Sequence, residues 1–139
     1  MQSIHNNISE MQQEKLRENT ELLRSRVELL EGTDREIMTM YLENGITCKQ
    51  LAELTGLNEC SIARRISKIQ SRLLDGKFIT CLRNRSRFTP LQIALAKEHF
   101  LNGNSINKIS EKFHISFHVT KMTIVRIEKI IRSIRRLEK

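Results

Sequence analysis

The apolar positions between Thr33 and Leu74 fall into three groups, each bounded by helix punctuation. "TDRE" (33–36) has the form of a capping box, in which the Thr33 hydroxyl accepts from an early helical amide while Glu36 reaches back. Ile37, Met40 and Tyr41 then share one face, and Gly45 offers the left-handed stop. "TCKQ" (47–50) repeats the box with Gln50, and Leu51, Ala52 and Leu54 predict a short second helix that ends at Gly56. Asn58 is a good N-cap for a third helix, where Ile62, Ile66, Ile69 and Leu73, spaced 4, 3 and 4, make one buried stripe.

Advancing the register by 58 residues meets the same grammar again: Asn44–Gly45 falls on Asn102–Gly103, Thr47 on Ser105 and Leu51 on Ile109. Leu57 falls on Ile115, Asn58 on Ser116, Ile66 on Ile124 and Ile69 on Ile127. "TPLQ" (89–92) supplies a capping box with proline at the first helical position, two residues ahead of where strict register would put it. Five of the 28 pairs across 42–69 are identical, too few to establish common descent, so the shared feature is the architecture.

Residues 8–31 read as a polar helix with Leu16, Leu23 and Leu30 seven apart and Val27 beside them. Asn19 and Arg26 interrupt a second apolar seam, so a helix lying on its own domain is expected rather than a coiled coil. At the other end "IVRIEKIIRSIRRLEK" prolongs the last helix well beyond a three-helix unit. Its Ile124, Ile127, Ile131 and Ile134 stripe requires cover, expected from a second copy of the chain in a homodimer or from the N-terminal helix. The predicted organisation is all-α, with two tandem helix-turn-helix units. An N-terminal helical segment (1–31) precedes a first unit (32–75), a basic linker (76–88) and a second, diverged unit with an extended C-terminal helix (89–139).

Composition agrees with helices: one proline and five glycines in 139 residues do not suit a turn-rich β design. The formal net charge of +8 favours a polyanionic partner, and it is unevenly spread: −2 over 1–31, zero over 32–75, +4 over 76–90 and +6 over 91–139. Cys48, Cys60 and Cys81 form no C-x-x-C pair and are odd in number, as expected of free thiols in a reducing compartment. With no signal-peptide pattern and no apolar run of about 18 residues, the expectation is a cytoplasmic, nucleoid-associated protein without a membrane partner.

A helix-turn-helix needs a small residue early in its second helix, a tight turn, and a ladder that pins the third helix while the opposite face stays free. Ala52, Gly56, Leu57 as a plug, and Ile62/Ile66 fill those places. At about 100° per residue the free face carries Cys60, Ser61, Arg64, Ser67, Lys68 and Ser71, with Arg64 most directly opposed to the ladder and Arg65 on the flank. Short hydroxyls around long cations suit base edges and phosphates together; a solvated face of a small bundle has the same pattern.

The stretch "TDREIMTMYLENGITCKQLAELTGLNECSIARRISKIQSRLL" resembles region four of bacterial sigma factors, especially the extracytoplasmic-function group, and the related helix-turn-helix of quorum-sensing-type regulators. The matching features are the Asp-Arg-Glu opening, the Tyr-Leu pair before the glycine, Leu-Ala-Glu, the turn at Thr55–Leu57, and Ile followed by Arg-Arg-Ile. The resemblance implies promoter-DNA reading and contact with RNA polymerase, roles that would fall on Asn58, Glu59, Ser61, Arg64, Arg65 and Lys68. Nothing in residues 1–31 resembles the region two that a complete sigma factor needs.

The second unit is a diverged cousin, with Ser110 at the small position and His114 where glycine would sit. Its free face opens with His118, Met122 and Val125, with Lys121 alongside, and turns basic only at Lys129, Arg132 and Arg136. The pattern suits a protein contact surface or a non-specific phosphate rail better than a base reader, with His118 and Lys121 as its candidate DNA contacts. Arg83, Arg85 and Arg87 belong to a solvated connector or to a basic arm that enters a minor groove. His114 and His118 are four apart, but no cysteine pair accompanies them, and no phosphate loop or nucleophile motif occurs. No catalytic residue, metal or cofactor is expected. The expected function is sequence-specific binding of double-stranded DNA by a transcriptional regulator. Two alternatives are a protein-interaction module for RNA polymerase or a sigma factor, and the DNA-targeting part of a transposase or recombinase.

Overall fold

The computed structural model describes the backbone of residues 2–138 and the side chains of residues 11–138. Every regular element among the described residues is helical, as the patterning predicts. The chain divides between Leu74 and Asp75 into two compact units.

The first unit begins with α1 (Gln2–Arg26), which tightens into a 3₁₀ turn (Val27–Leu29) and is followed by α2 (Gly32–Leu42), α3 (Cys48–Thr55) and α4 (Glu59–Asp75). Leu23, Val27 and Leu30 are buried while Met11 and Leu16 are exposed, so among the described side chains the C-terminal end of α1 packs on its own unit. Two arginines tie it there through orphan helix-end carbonyls: Arg26 donates to Leu73 and Leu74 at the end of α4, and Arg24 donates to Leu42 at the end of α2 (3.2 Å). The Thr47–Gln50 capping box forms in full, Gly56 ends α3 in the left-handed region (φ 74°), and the Cys60 amide donates to Asn58 Oδ1 at 2.7 Å. Ile62, Ile66, Ile69 and Leu73 are all buried.

Three expectations need correction in this unit. The "TDRE" box does not form: α2 starts at Gly32, a turn residue with φ 60°, its N-cap is Glu31, and Thr33 already lies inside the helix. The chain is set at that point by buried Leu30 and the preceding turn, and Asp34 is drawn instead to Arg65 and Arg72. Met38 replaces Met40 and Tyr41 as the buried partner of Ile37. Leu57 is no plug; leaving the Gly56 turn it is 47% exposed, and Leu51 fills that end of the core.

The second unit holds α5 (Lys77–Arg83), a 3₁₀ turn (Arg85–Arg87), α6 (Pro90–Ala96) running into a π-helical turn (Lys97–Leu101), α7 (Ile106–Phe113) and α8 (Phe117–Leu137). The predicted linker is therefore part of the fold. Phe78, Cys81 and Phe88 are buried, and α5 and α6 pack on α8 together with α7. They also cover the isoleucine stripe: Ile124, Ile127, Ile131 and Ile134 are all buried within the unit, so the stripe gives no reason to call in a second copy or the N-terminal helix. Burial pushes the Cys81 thiol pKa up to about 11 against the pull of Arg135.

The internal repeat is longer and tighter than the sequence suggests. Adding 58 to the first residues of α2, α3 and α4 (32, 48, 59) gives the first residues of α6, α7 and α8 (90, 106, 117), and the two 3₁₀ turns (27–29, 85–87) obey the same shift. N-caps Thr47 and Ser105 correspond, as do the left-handed C-caps Gly56 and His114, the latter a non-glycine at φ 55°. The apparent two-residue offset of "TPLQ" disappears because Thr89 corresponds to Glu31, the true N-cap of α2. Buried pairs such as Leu23/Cys81, Leu30/Phe88, Leu51/Ile109 and Ile62/Thr120 follow the register as well.

Candidate nucleic-acid interface

The outward face of α4 is produced by its own sequence. Four apolar residues fix one side in the core, the Asn58 cap and Gly56 turn fix the helix start, and what is left points away. Asn58, Glu59, Cys60, Ser61, Arg64, Ser67, Lys68 and Ser71 are all exposed. From Asn58 to Lys68 the face runs about 15 Å. The Asn58 carbonyl oxygen is committed to the cap, which leaves its amide nitrogen as the group able to meet a phosphate.

Arg65 departs from its assigned place. Its Nε donates to Asp34 Oδ1 at 2.9 Å and its Nη2 stands 2.8 Å from the same oxygen, with Arg72 3.8 Å from Oδ2. Burial lowers the Arg72 pKa, Asp34 pulls it back up, and Arg65 adds to the fall. This two-to-one cluster holds α2 against α4, so Arg65 positions the helix rather than projecting from it. Arg64 takes part in no ion pair or hydrogen bond among the described residues.

In the second unit Arg83 ends α5, while Arg85 and Arg87 sit in the 3₁₀ turn; all three are exposed. Backbone bonds from Arg87 to Asn84 (2.9 Å) and from Phe88 to Arg85 (3.1 Å), with Phe88 buried, fix this turn, so it is neither a loose connector nor a free arm. His118 and Lys121 are exposed on the first turns of α8. Around them Phe117, Val119 and Met122 are each about half exposed, so this end of the helix is an apolar surface. The register places Met122 where α4 has Arg64, Val119 where it has Ser61, and Arg126 where it has Lys68. Arg126 was missed as a candidate, although the 58-residue shift points straight to it.

The remaining polar cluster lies at the π-helical turn. Glu98 is buried, accepts from Lys112 Nζ at 2.7 Å and from Asn104 Nδ2 at 2.6 Å, and the Asn104 amide donates to the Glu98 carbonyl at 2.9 Å. Burial raises the Glu98 pKa, but the hydrogen bonds and charge of Lys112 and the amides of Asn104 and Asn102 outweigh it and hold the carboxyl below its ordinary value. Asn102 and Asn104 come from the loop itself and Lys112 from α7, so the cluster closes the loop between α6 and α7.

Charge separates the units more sharply than the predicted boundaries do. Residues 1–74 carry ten Lys and Arg against eleven Asp and Glu, and residues 75–139 carry fourteen against five. No protein-family model, curated protein or solved structure matches this chain.

Proposed function

We propose that this protein binds double-stranded DNA sequence-specifically, as a transcriptional regulator built on two tandem helix-turn-helix units, with α4 as the base-reading helix. The single observation that carries the proposal is the exposed face of Ser61, Arg64, Ser67 and Lys68, set behind the Gly56 turn and opposite the buried Ile62/Ile66/Ile69 ladder. Such a face can enter a major groove. Arg64 has the reach and the fork to donate to guanine O6 and N7, the serines can meet base edges or phosphates, and Lys68 can meet a phosphate. Arg65, held by Asp34, keeps the helix in register and contributes through it.

Selection of binding sites from a random duplex pool tests the proposal. A sequence should emerge, and Arg64→Ala should weaken binding to it by roughly 1–3 kcal/mol while changing binding to random duplex much less. Failure to enrich any sequence would reject the base-reading role. The half-exposed Phe117, Val119 and Met122 favour a second reading for the other unit, contact with a protein partner, for which the sigma-like resemblance suggests RNA polymerase. Met122→Asp should abolish such a contact and leave site selection by α4 intact.

A further inference from the structure

Beyond its apolar first turns, α8 carries Arg126, Lys129, Arg132 and Arg136. All four are exposed or half-exposed, and none takes part in an ion pair or hydrogen bond among the described residues. Their neighbour Arg135 supplies the contrast: it donates to the Asp75 backbone carbonyl at 2.7 Å and stands 3.6 Å from the Asp75 carboxylate, so its charge serves the fold. At about 100° per residue the four free cations lie within about 120° of arc, centred opposite the buried Ile127 and Ile131. The carboxylate of α8, Glu128, falls outside that arc and is half-buried.

Length and charge suit one occupant. Arg126 to Arg136 covers about 15 Å of helix axis, and one strand of duplex DNA presents a phosphate about every 3.4 Å of its axis, so a row of this length matches the span of about four phosphates. A membrane surface would need the apolar side of the helix free to insert, and that side is covered by α6 and α7. We infer that the outer face of α8 is a sequence-independent rail for the phosphate backbone of duplex DNA. It supplies affinity and salt dependence while α4 discriminates between bases, and it rests on the preceding proposal only in taking DNA as the partner. Arg126 shares its register position with Lys68, so the two third helices have one exposed cation in common, and α8 extends the row beyond it.

The test uses the full chain with Arg126→Ala, Lys129→Ala, Arg132→Ala and Arg136→Ala combined, its helical content checked by circular dichroism. The slope of log K against log salt on random duplex should flatten by about 3 to 4, near 0.9 for each phosphate no longer neutralised. Selected and random duplex should weaken by the same factor, leaving the discrimination ratio unchanged. A companion variant combining Arg126→Lys, Arg132→Lys and Arg136→Lys should keep the wild-type slope, because counterion release counts charges and not guanidinium forks. An unchanged slope in the alanine variant overturns the rail. So does loss of binding to phosphatidylserine vesicles with duplex binding intact, which would assign the face to a membrane surface. A flattened slope with no selectable sequence leaves the rail standing and removes the base-reading proposal, whereas a selectable sequence with an unchanged slope does the reverse.

Discussion

Set in register, α4 and α8 differ most where they face outward and agree along most of the buried stripe, with Thr120 in the place of Ile62. Inside, Ile66, Ile69 and Leu73 of α4 correspond to Ile124, Ile127 and Ile131 of α8, all buried. Outside, Ser61 and Arg64 give way to Val119 and Met122, so polar atoms able to read a base are exchanged for apolar surface. The polar clusters have moved as well. The first unit locks α2 to α4 with Asp34, Arg65 and Arg72, and their counterparts in the second are Gln92, Thr123 and Ile130. The second unit instead clasps its first loop with Glu98, Asn104 and Lys112, at positions where the first has Met40, Ile46 and Leu54. One scaffold thus tolerates two polar solutions, because each restrains helices that the apolar ladder has already oriented. The first unit is nearly neutral with a hydrogen-bonding outer face, and the second is strongly basic with an apolar one.

The deepest test of the comparison is the shared core. Leu51 and Ile109 occupy one register position and are both almost fully buried, so Leu51→Ala and Ile109→Ala should each cost about 2–5 kcal/mol in denaturant unfolding. A large cost at one and none at the other would break the structural equivalence. Next comes the clasp peculiar to the second unit. Glu98→Ala removes a buried carboxylate that accepts from Lys112 and Asn104 and should cost about 1–3 kcal/mol near neutral pH. Because the folded-state pKa of Glu98 is lowered, its contribution is fully present above the ordinary glutamate range and disappears as the pH falls through the lowered value. The alanine variant should therefore lose less stability than the wild type on acidification, as thermal melts at a series of pH values would reveal. Parallel acid sensitivity in both would mean that Glu98 contributes nothing specific.

The smallest effects should come from the two left-handed caps. Gly56→Ala meets no neighbouring atom within 4 Å, so its cost is the conformation alone, about 1 kcal/mol. His114→Gly relieves the same strain at φ 55° and should raise stability by about 0.5–1 kcal/mol after the greater chain entropy of glycine is set against it. Equal and opposite shifts in the melting midpoint would show that both turns need the same backbone. A destabilised His114→Gly would assign the histidine side chain a contact of its own.

Much of the candidate site was legible early because its determinants are local. The Thr47–Gln50 and Thr89–Gln92 boxes, the Asn58 cap, the Gly56 turn and the isoleucine stripes each depend on residues within a turn or two. Periodicity alone then assigns Arg64 and Lys68 to the outside. The failures share a different cause. "TDRE" satisfies the grammar of a capping box, yet Asp34 pairs with Arg65, 31 residues away, and the helix starts earlier. Residues 76–88 look like a linker because their charges stand out, whereas Phe78, Cys81 and Phe88 show their purpose only against α6 and α8.

The sequence by itself determined that the protein is helical, where most helices begin and end, and which sides of α4 and α8 are apolar, since capping, left-handed turns and a 3.6-residue period act over neighbouring residues. Tertiary structure decided where one unit stops and the next starts, what covers the long isoleucine stripe, and which arginines are anchors and which are free. Those outcomes depend on interactions between residues far apart in the chain, as when Arg26 reaches the carbonyls of Leu73 and Leu74 or Arg135 that of Asp75. Periodicity places Arg65 and Arg135 on the flanks of their helices, but only packing supplies the distant partner that each one meets.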